Sequence, residues 1–282
     1  MQLAIVAVIV IVGFAVVAGL VLRLWRASDR TEFAGHWTDL WDDATQDGRL
    51  FDPFMVDGLP EAARRYLLWA IEPGTPLATR AHLPSSGEFC PKPGGEWWPM
   101  TCEGIYAGPR GLAWRASIGK GAMRIEGMDV YAGGEGSMTI WMNDVIPMAH
   151  ADGDDISRSA AGRAAGECFL VPSTLLPGEG VRWEAMDEET ARVHITVDGR
   201  EHAVTLAIAP DGRPTSLVMP RWSDKTPDGR WGEMSFGADF SGETRVGGYR
   251  IPAEVVAGWG YGTDAWPAGA FIKQRFDGGE YR

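Results

Sequence analysis

Six acids stand in aromatic or apolar company along the chain: Glu103, Glu135, Glu167, Glu184, Asp239 and Glu254. Two carboxylates converging in one cleft can divide general acid and general base work between them. Glu135 and Glu167 are the candidates for such a pair. Glu167 is the sharpest case, because it directly precedes Cys168, Phe169, Leu170 and Val171 in a stretch whose composition suits burial. A carboxylate taken into apolar surroundings needs a partner, a shifted pKa or a chemical task. With 38 acids in 282 residues, several will fall near aromatics by chance. A structural ion pair, with Arg65 or Arg182 as partner, is therefore the simpler account of Glu167, and catalysis the alternative.

Other chemistry finds less support. His194 and His202 flank a hairpin at Asp198-Gly199, and alternation puts His202 on the face of Val193, Ile195 and Val197 with His194 on the opposite face. They cannot share a metal within the sheet, and His36, His82 and His150 are dispersed, so no metal site is expected. The glycines of AGGEGSM (132–138) match neither a dinucleotide fingerprint nor a P-loop. DGDD (152–155) lacks the ligand spacing of a calcium loop and is better read as capping a helix. Cys90, Cys102 and Cys168 make no metal or redox spacing. Three buried thiols are the plain reading, with a Cys90–Cys102 bridge left open. No pattern implies a cofactor.

A formal charge of −12, with no basic run longer than Arg64-Arg65, excludes a nucleic-acid partner. Residues 3–22 carry no charge for twenty positions, enough to cross a hydrocarbon layer of roughly 30 Å once. Nothing basic precedes them except the amino terminus, so a single-pass anchor to the cell membrane is expected rather than a signal peptide. Arg23, Arg26 and Arg30 follow the span and favour a cytoplasmic domain by the positive-inside rule, with extracytoplasmic placement as the alternative. Thirteen Trp mean large flat apolar surfaces to bury, in a core or around a cavity.

The elements that must position these residues follow from periodicity. Phe33, Trp37, Leu40 and Trp41 predict a short amphipathic helix over 33–43, followed by turns at Asp47-Gly48 and Asp52-Pro53. A second helix is predicted over 59–71, stopped by Glu72-Pro73-Gly74. From about residue 77 the period changes to 2. Strands are legible at 97–106, 111–118, 122–131, 135–142, 191–197, 200–208, 215–222, 230–240, 250–259 and 270–276, with Asp-Gly turns at 198, 211 and 228. An Ala-rich helix over 154–169, capped by Asp154 or Asp155 and ended by Pro172, interrupts them. The expected division is an anchor at 1–30, a helical membrane-proximal segment at 31–74 and a β domain at 75–282. The fold class is α+β, mainly antiparallel β: a large curved sheet or half-barrel of about ten strands with helix 154–169 covering its concave side.

The segments LPEAARRYL (59–67), EWWPMTCEG (96–104), DVYAGGEGSM (129–138), GECFLVPSTLLPGEGVRWEAMD (166–187) and GYRIPAEVVAGW (248–259) together resemble a family of uncharacterised bacterial proteins. Its members often carry a membrane segment ahead of a domain of unknown function. The likeness runs from about residue 57 to the C-terminus. It marks Arg65, Pro99, Glu135, Gly136, Glu167, Pro172, Trp183, Pro252, Glu254 and Trp259. Cys168 and Phe169 depart from the small residue and the aromatic, often Trp, that are usual there. The layout is similar to the half-barrel of lipoprotein-carrier proteins. The expected function is binding of a lipid or other amphiphile in an aromatic-lined cleft, with Arg65, Glu135, Glu167, Trp183, Glu254 and Trp259 as ligand-binding residues. The alternatives are a carboxylate-based hydrolase or isomerase on the same cleft, and a membrane-tethered scaffold for a protein partner.

Overall fold

The computed structural model describes residues 2–42 and 48–282. It opens with helix α1, Gln2–Asp42. At ~1.5 Å per residue this helix is about 60 Å long, roughly twice the thickness of a hydrocarbon layer. Its apolar part contains an 18-residue window of mean hydropathy 3.2 that nothing else in the chain buries. By length and composition that suits a membrane span, and a signal sequence would look the same. The amphipathic helix expected at 33–43 is not a separate element but the far end of α1. No proline falls between positions 23 and 42, so nothing local interrupts the hydrogen-bond ladder. Asp43, and Asp47 of the expected turn, lie outside the described residues.

Helix α2 (Glu61–Ala70) buries Ala62, Ala63, Tyr66 and Leu67 against the core. A first meander follows: β1 (Ala81–Phe89), β2 (Trp98–Tyr106), β3 (Gly111–Lys120), β4 (Met123–Ala132), β5 (Glu135–Met142) and β6 (Ile146–Ala151). Helix α3 (Asp154–Gly166) and two 3-10 turns, Glu167–Leu170 and Pro172–Leu175, lead to a second meander. This comprises β7 (Val181–Ala185), β8 (Thr190–Val197), β9 (Arg200–Ile208), β10 (Pro214–Ser223) and β11 (Gly232–Ser241). After a two-stranded ribbon, β12 (Thr244–Val246) and β13 (Tyr249–Ile251), the chain closes with β14 (Glu254–Trp259), β15 (Ala270–Phe276) and β16 (Glu280–Tyr281).

The main sheet is antiparallel, in the order β6-β5-β4-β3-β2-β1-β15-β14-β11-β10-β9-β8-β7, with β16 beside β1. Its 14 strands exceed the ten expected. The missed ones hide for physical reasons. β1 reads AHLPSSGEF without alternation, β6 carries Pro147 on an edge, β7 is five residues long and β16 only two. The strand expected at 250–259 is divided at Pro252-Ala253 into β13 and β14.

The path explains the shape. The chain starts in mid-sheet at β1, walks to one edge, crosses through α3 to the other edge at β7, and walks back to the middle. Helix α3 therefore touches both arms: the Ser157 hydroxyl accepts from Gly136 N of β5 at 2.9 Å, and the Ser159 carbonyl accepts from Arg221 Nε of β10 at 3.1 Å. A helix this short can reach both only if the sheet curls into a half-barrel. Gly136 permits the approach, since a Cβ there would stand 2.8 Å from that of Ala160. The residue ahead of α3 is Gly153, without a side-chain cap, so Asp154 and Asp155 sit in the first turn, where the helix dipole favours them. Asp155 also accepts from Trp222 Nε1 at 2.7 Å. All three cysteines are free and buried.

Candidate functional site

Between the concave face and α3 lies a cavity of about 300 Å³. Its floor comes from Trp114, Ile118, Ile125 and Ile140 of the first meander and from Leu217, Met219, Phe236 and Ala238 of the second. The central strands add Phe89, Val255, Ala257, Trp259, Phe271 and Phe276, and Phe169 and Leu170 of the 3-10 turn close it from above. The strand period of 2 sends alternate residues inward, which is why Ile125, Gly127 and Asp129 line it together.

Asp129 belongs to a polar cluster under the helix. Arg163 donates from Nε to Glu167 Oε1 at 2.9 Å and from Nη1 to Asp129 Oδ2, and its guanidinium lies 4.9 Å from the centre of the Trp114 ring. Glu167 is the C-cap of α3, where an acid opposes the dipole, and Arg163 one turn earlier offsets it. Burial would lower the Arg163 pKa, but Glu167 and Asp129 overcome it and hold the guanidinium above its ordinary value. Burial pushes the Asp129 carboxyl up, against the pull of Arg163 and Arg221. Arg221 is brought down to about 10, by burial first and then by the like charge of Arg163. Its guanidinium rests on Phe236 and Trp259 at 4.9 and 5.2 Å, and no carboxylate lies within ion-pair distance of it among the described residues. Two buried polar atoms of the cluster lack any hydrogen-bond partner: Trp114 Nε1 and Glu167 Oε2.

The structure brings together some of the expected residues. Glu167 and Trp259 line the cavity. Glu135 is exposed at the start of β5, so it and Glu167 do not assemble into an acid–base pair. Trp183 packs on Tyr66 and donates to the Leu175 carbonyl at 2.8 Å. Glu254 is exposed and pairs with Arg275 at 3.3 Å. Arg65 donates to the Glu188 carbonyl at 2.8 Å, and Arg182 approaches Glu201 at 3.7 Å, so neither holds Glu167; Arg163 does. His194 lies between Glu184 and Glu201 on the outer face, while His202 faces α3. Among the described residues, no group of three or more His, Cys, Asp or Glu gathers in metal-binding range. Asp129, Arg163, Arg221 and Trp114 escaped sequence reading. The i,i+4 spacing of Arg163 and Glu167 was the signal available for one of them.

A larger groove of about 980 Å³ runs between α1 and the convex face of β1–β4. It is open and lined by Arg30, His82, Thr101, Glu103, Arg115 and Glu126 among others. Such a mixed, solvent-facing lining offers little exclusion of water, so the smaller apolar cavity is the better ligand site.

Strand order, curl and crossing helix define an α+β half-barrel with an apolar cavity beneath its helix. Within that class, the chain belongs to DUF6544, a family of unknown function, whose match covers residues 49–271. Among solved structures it is similar to a LolA superfamily protein from Nitrosomonas europaea, with 11% identity, a TM-score of 0.42, and coverage of 78% of this chain and 92% of that one. It is also similar to a putative outer membrane lipoprotein-sorting protein domain from Vibrio parahaemolyticus, with 8% identity, a TM-score of 0.37, and coverage of 72% and 84%. At those identities and scores neither structure says anything about this chain's ligand. No curated protein matches the sequence.

Proposed function

We propose that the protein is a membrane-tethered binder of a single-chain amphiphile, held in the cavity beneath α3. The observation that carries this is an apolar cavity whose few polar atoms sit together and partly unpartnered. At ~30 Å³ per water-sized group its volume takes roughly ten methylene-sized groups. Trp114 Nε1 needs an acceptor and Glu167 Oε2 a donor, so the ligand's head group carries both. Arg163 and Arg221 are balanced by Asp129 and Glu167, which leaves no surplus of positive charge for a phosphate. The head group is small, and neutral or singly charged.

The tether is α1. A cleaved signal sequence would end before the folded domain, whereas here the helix continues unbroken into a docked half. Arg26 is buried and pairs with Glu126 and Asp144, and Asp29 is buried and accepts from Trp141 Nε1 at 2.8 Å. Arg80 donates to the carbonyls of Leu40 and Trp41 at 3.0 and 3.2 Å. Removing residues before 32 would therefore strip part of the fold.

The test is native mass spectrometry of the full chain released from detergent, with solvent extraction and identification of what is bound. A stoichiometric amphiphile of defined mass, lost on Arg221→Met without unfolding, is expected. A protein that stays empty after incubation with fatty acids, monoacylglycerols and fatty amides would overturn the reading.

A further inference from the structure

Register and helix contacts fix the end of the half-barrel from which the apolar half of α1 leaves the domain. Along α1, Arg26 meets Glu126 of β4 and Asp144 of the β5–β6 turn, Phe33 packs on Ala113, Met128 and Val130, and Trp41 reaches His82 at the start of β1. Followed back towards its N-terminus, the helix passes the tips of the β3–β4 and β5–β6 hairpins and then leaves the domain as a bare apolar rod. Those two tips are tied to each other: Arg124 N donates to Asn143 Oδ1 at 2.8 Å, and Asn143 N to the Arg124 carbonyl at 2.7 Å. They carry Met123, Val145, Ile146 and Met148, exposed at 43, 53, 46 and 55%. Beyond α1, seven large apolar side chains are this exposed among the described residues, and these are four of them; Leu50, Phe54 and Met186 are the others. A patch of this kind on a soluble surface marks a docking site, and its position beside the emerging apolar helix identifies the occupant as lipid.

The cavity's lining reaches the same end. Ile118 pairs with Ile125, Ile125 with Met142, and Met142 with Ile146 across successive strands. Directly opposed residues share a face, so this row runs along the concave side from the cavity, which Ile118 and Ile125 line, to the exposed tip. Phe89 and Phe271 of the lining, with ring centres 6.0 Å apart, stand at the matching ends of β1 and β15 and are partly exposed.

We propose that the paired hairpin tips rest in the bilayer interface, and that the amphiphile passes from the membrane along the Ile146–Met142–Ile125–Ile118 row into the cavity without crossing water. This rests on the binding reading above and adds the ligand's source and route.

The experiment uses the full chain in nanodiscs of phosphatidylcholine and phosphatidylglycerol (3:1) containing doxyl-labelled lipid. An environment-sensitive fluorophore is placed by Ile146→Cys or, as a control, by Leu50→Cys; the native thiols are buried. The Ile146 probe is expected to be strongly quenched and the Leu50 probe not. In parallel, emptied protein is reloaded from vesicles or from detergent. Val145→Asp with Met148→Asp is expected to slow loading from vesicles at least tenfold and leave loading from detergent unchanged. Wild-type protein that loads from neither source would overturn the binding reading itself. Wild-type protein that loads while its Ile146 probe stays unquenched, or whose tip variant loads from vesicles at the normal rate, would overturn the membrane route alone.

Discussion

The two faces of the half-barrel are built from the same parts and finished differently. Each has a helix laid across it, an arginine gripping two carboxylates, and a tryptophan beneath that arginine. On the convex face Arg26 holds Glu126 and Asp144 above Trp141, whose Nε1 donates to buried Asp29. On the concave face Arg163 holds Asp129 and Glu167 above Trp114, whose Nε1 donates to nothing. The convex indole is spent on attaching the helix. The concave one faces a cavity with its bonding capacity unused. Buried polar groups are ordinarily satisfied; on the concave face Trp114 Nε1 and Glu167 Oε2 are not, and both residues border the apolar cavity.

Removing the arginines should separate the faces most. Arg163→Met leaves two partly buried carboxylates unpaired and is expected to cost about 3–5 kcal/mol. Arg26→Met leaves Glu126 and Asp144 to Arg30, which already reaches them at 3.2 and 2.7 Å, and should cost about 1–2 kcal/mol. Denaturant titration of the full chain in detergent reads both. Equal losses would mean that the concave cluster is no more committed to the fold than the convex one.

The tryptophans give the cleaner contrast, because the substitution is the same. Trp141→Phe strands the Asp29 carboxylate and should destabilise by about 1–3 kcal/mol. Trp114→Phe deletes a donor that has no partner, so stability should stay within about 0.5 kcal/mol while retention of the co-purified amphiphile falls. A Trp114→Phe protein as unstable as Trp141→Phe would show that the concave indole is bonded after all. Filling the space is a milder probe. Ala257→Leu projects into the cavity, so it should cost less than the ~1–3 kcal/mol typical of overpacking, yet lower bound amphiphile at least several-fold in the same mass-spectrometric measurement.

The sequence showed half of this contrast. The Asp198-Gly199 turn, with φ of 45° and 76°, and the strands around it were legible because turn chemistry and alternation agree there. So was the helix that ends at Glu167. Its partner was not, although Arg163 stands one helical turn away, because the sequence offers no way to weigh a local arginine against a distant one. Asp129 was hidden more deeply: it meets Arg163 only because α3 carries the chain from one sheet edge to the other, a long-range fact that no window contains. Trp259 and Glu167 share a cavity because the last strands return to the middle of the sheet. The unbroken α1 was missed for a related reason. Its apolar and amphipathic halves satisfy different periodic rules, but a helix needs only the absence of a breaker to continue.

The smallest effect expected belongs to His202, which sits under α3 with its Nδ1 3.8 Å from where a Cβ on Gly162 would lie and its Nε2 unpartnered. Burial lowers its pKa from 6.5, with Arg158 and Arg200 adding to the fall and Glu233 opposing it. Below pH 6.5 the unfolded chain therefore takes up a proton that the folded ring refuses, so stability falls as the pH drops through this range and levels off below the folded pKa. Asp129 works in the other sense. Its raised carboxyl contributes most below the unfolded value of 3.8, and that contribution is lost as pH rises through its folded pKa. Subtracting the denaturation profile of His202→Asn from that of the wild type isolates the histidine. The difference should slope only on the acid side of pH 6.5. A flat difference for His202 would mean that water reaches it, and that α3 leaves its end of the concave side open.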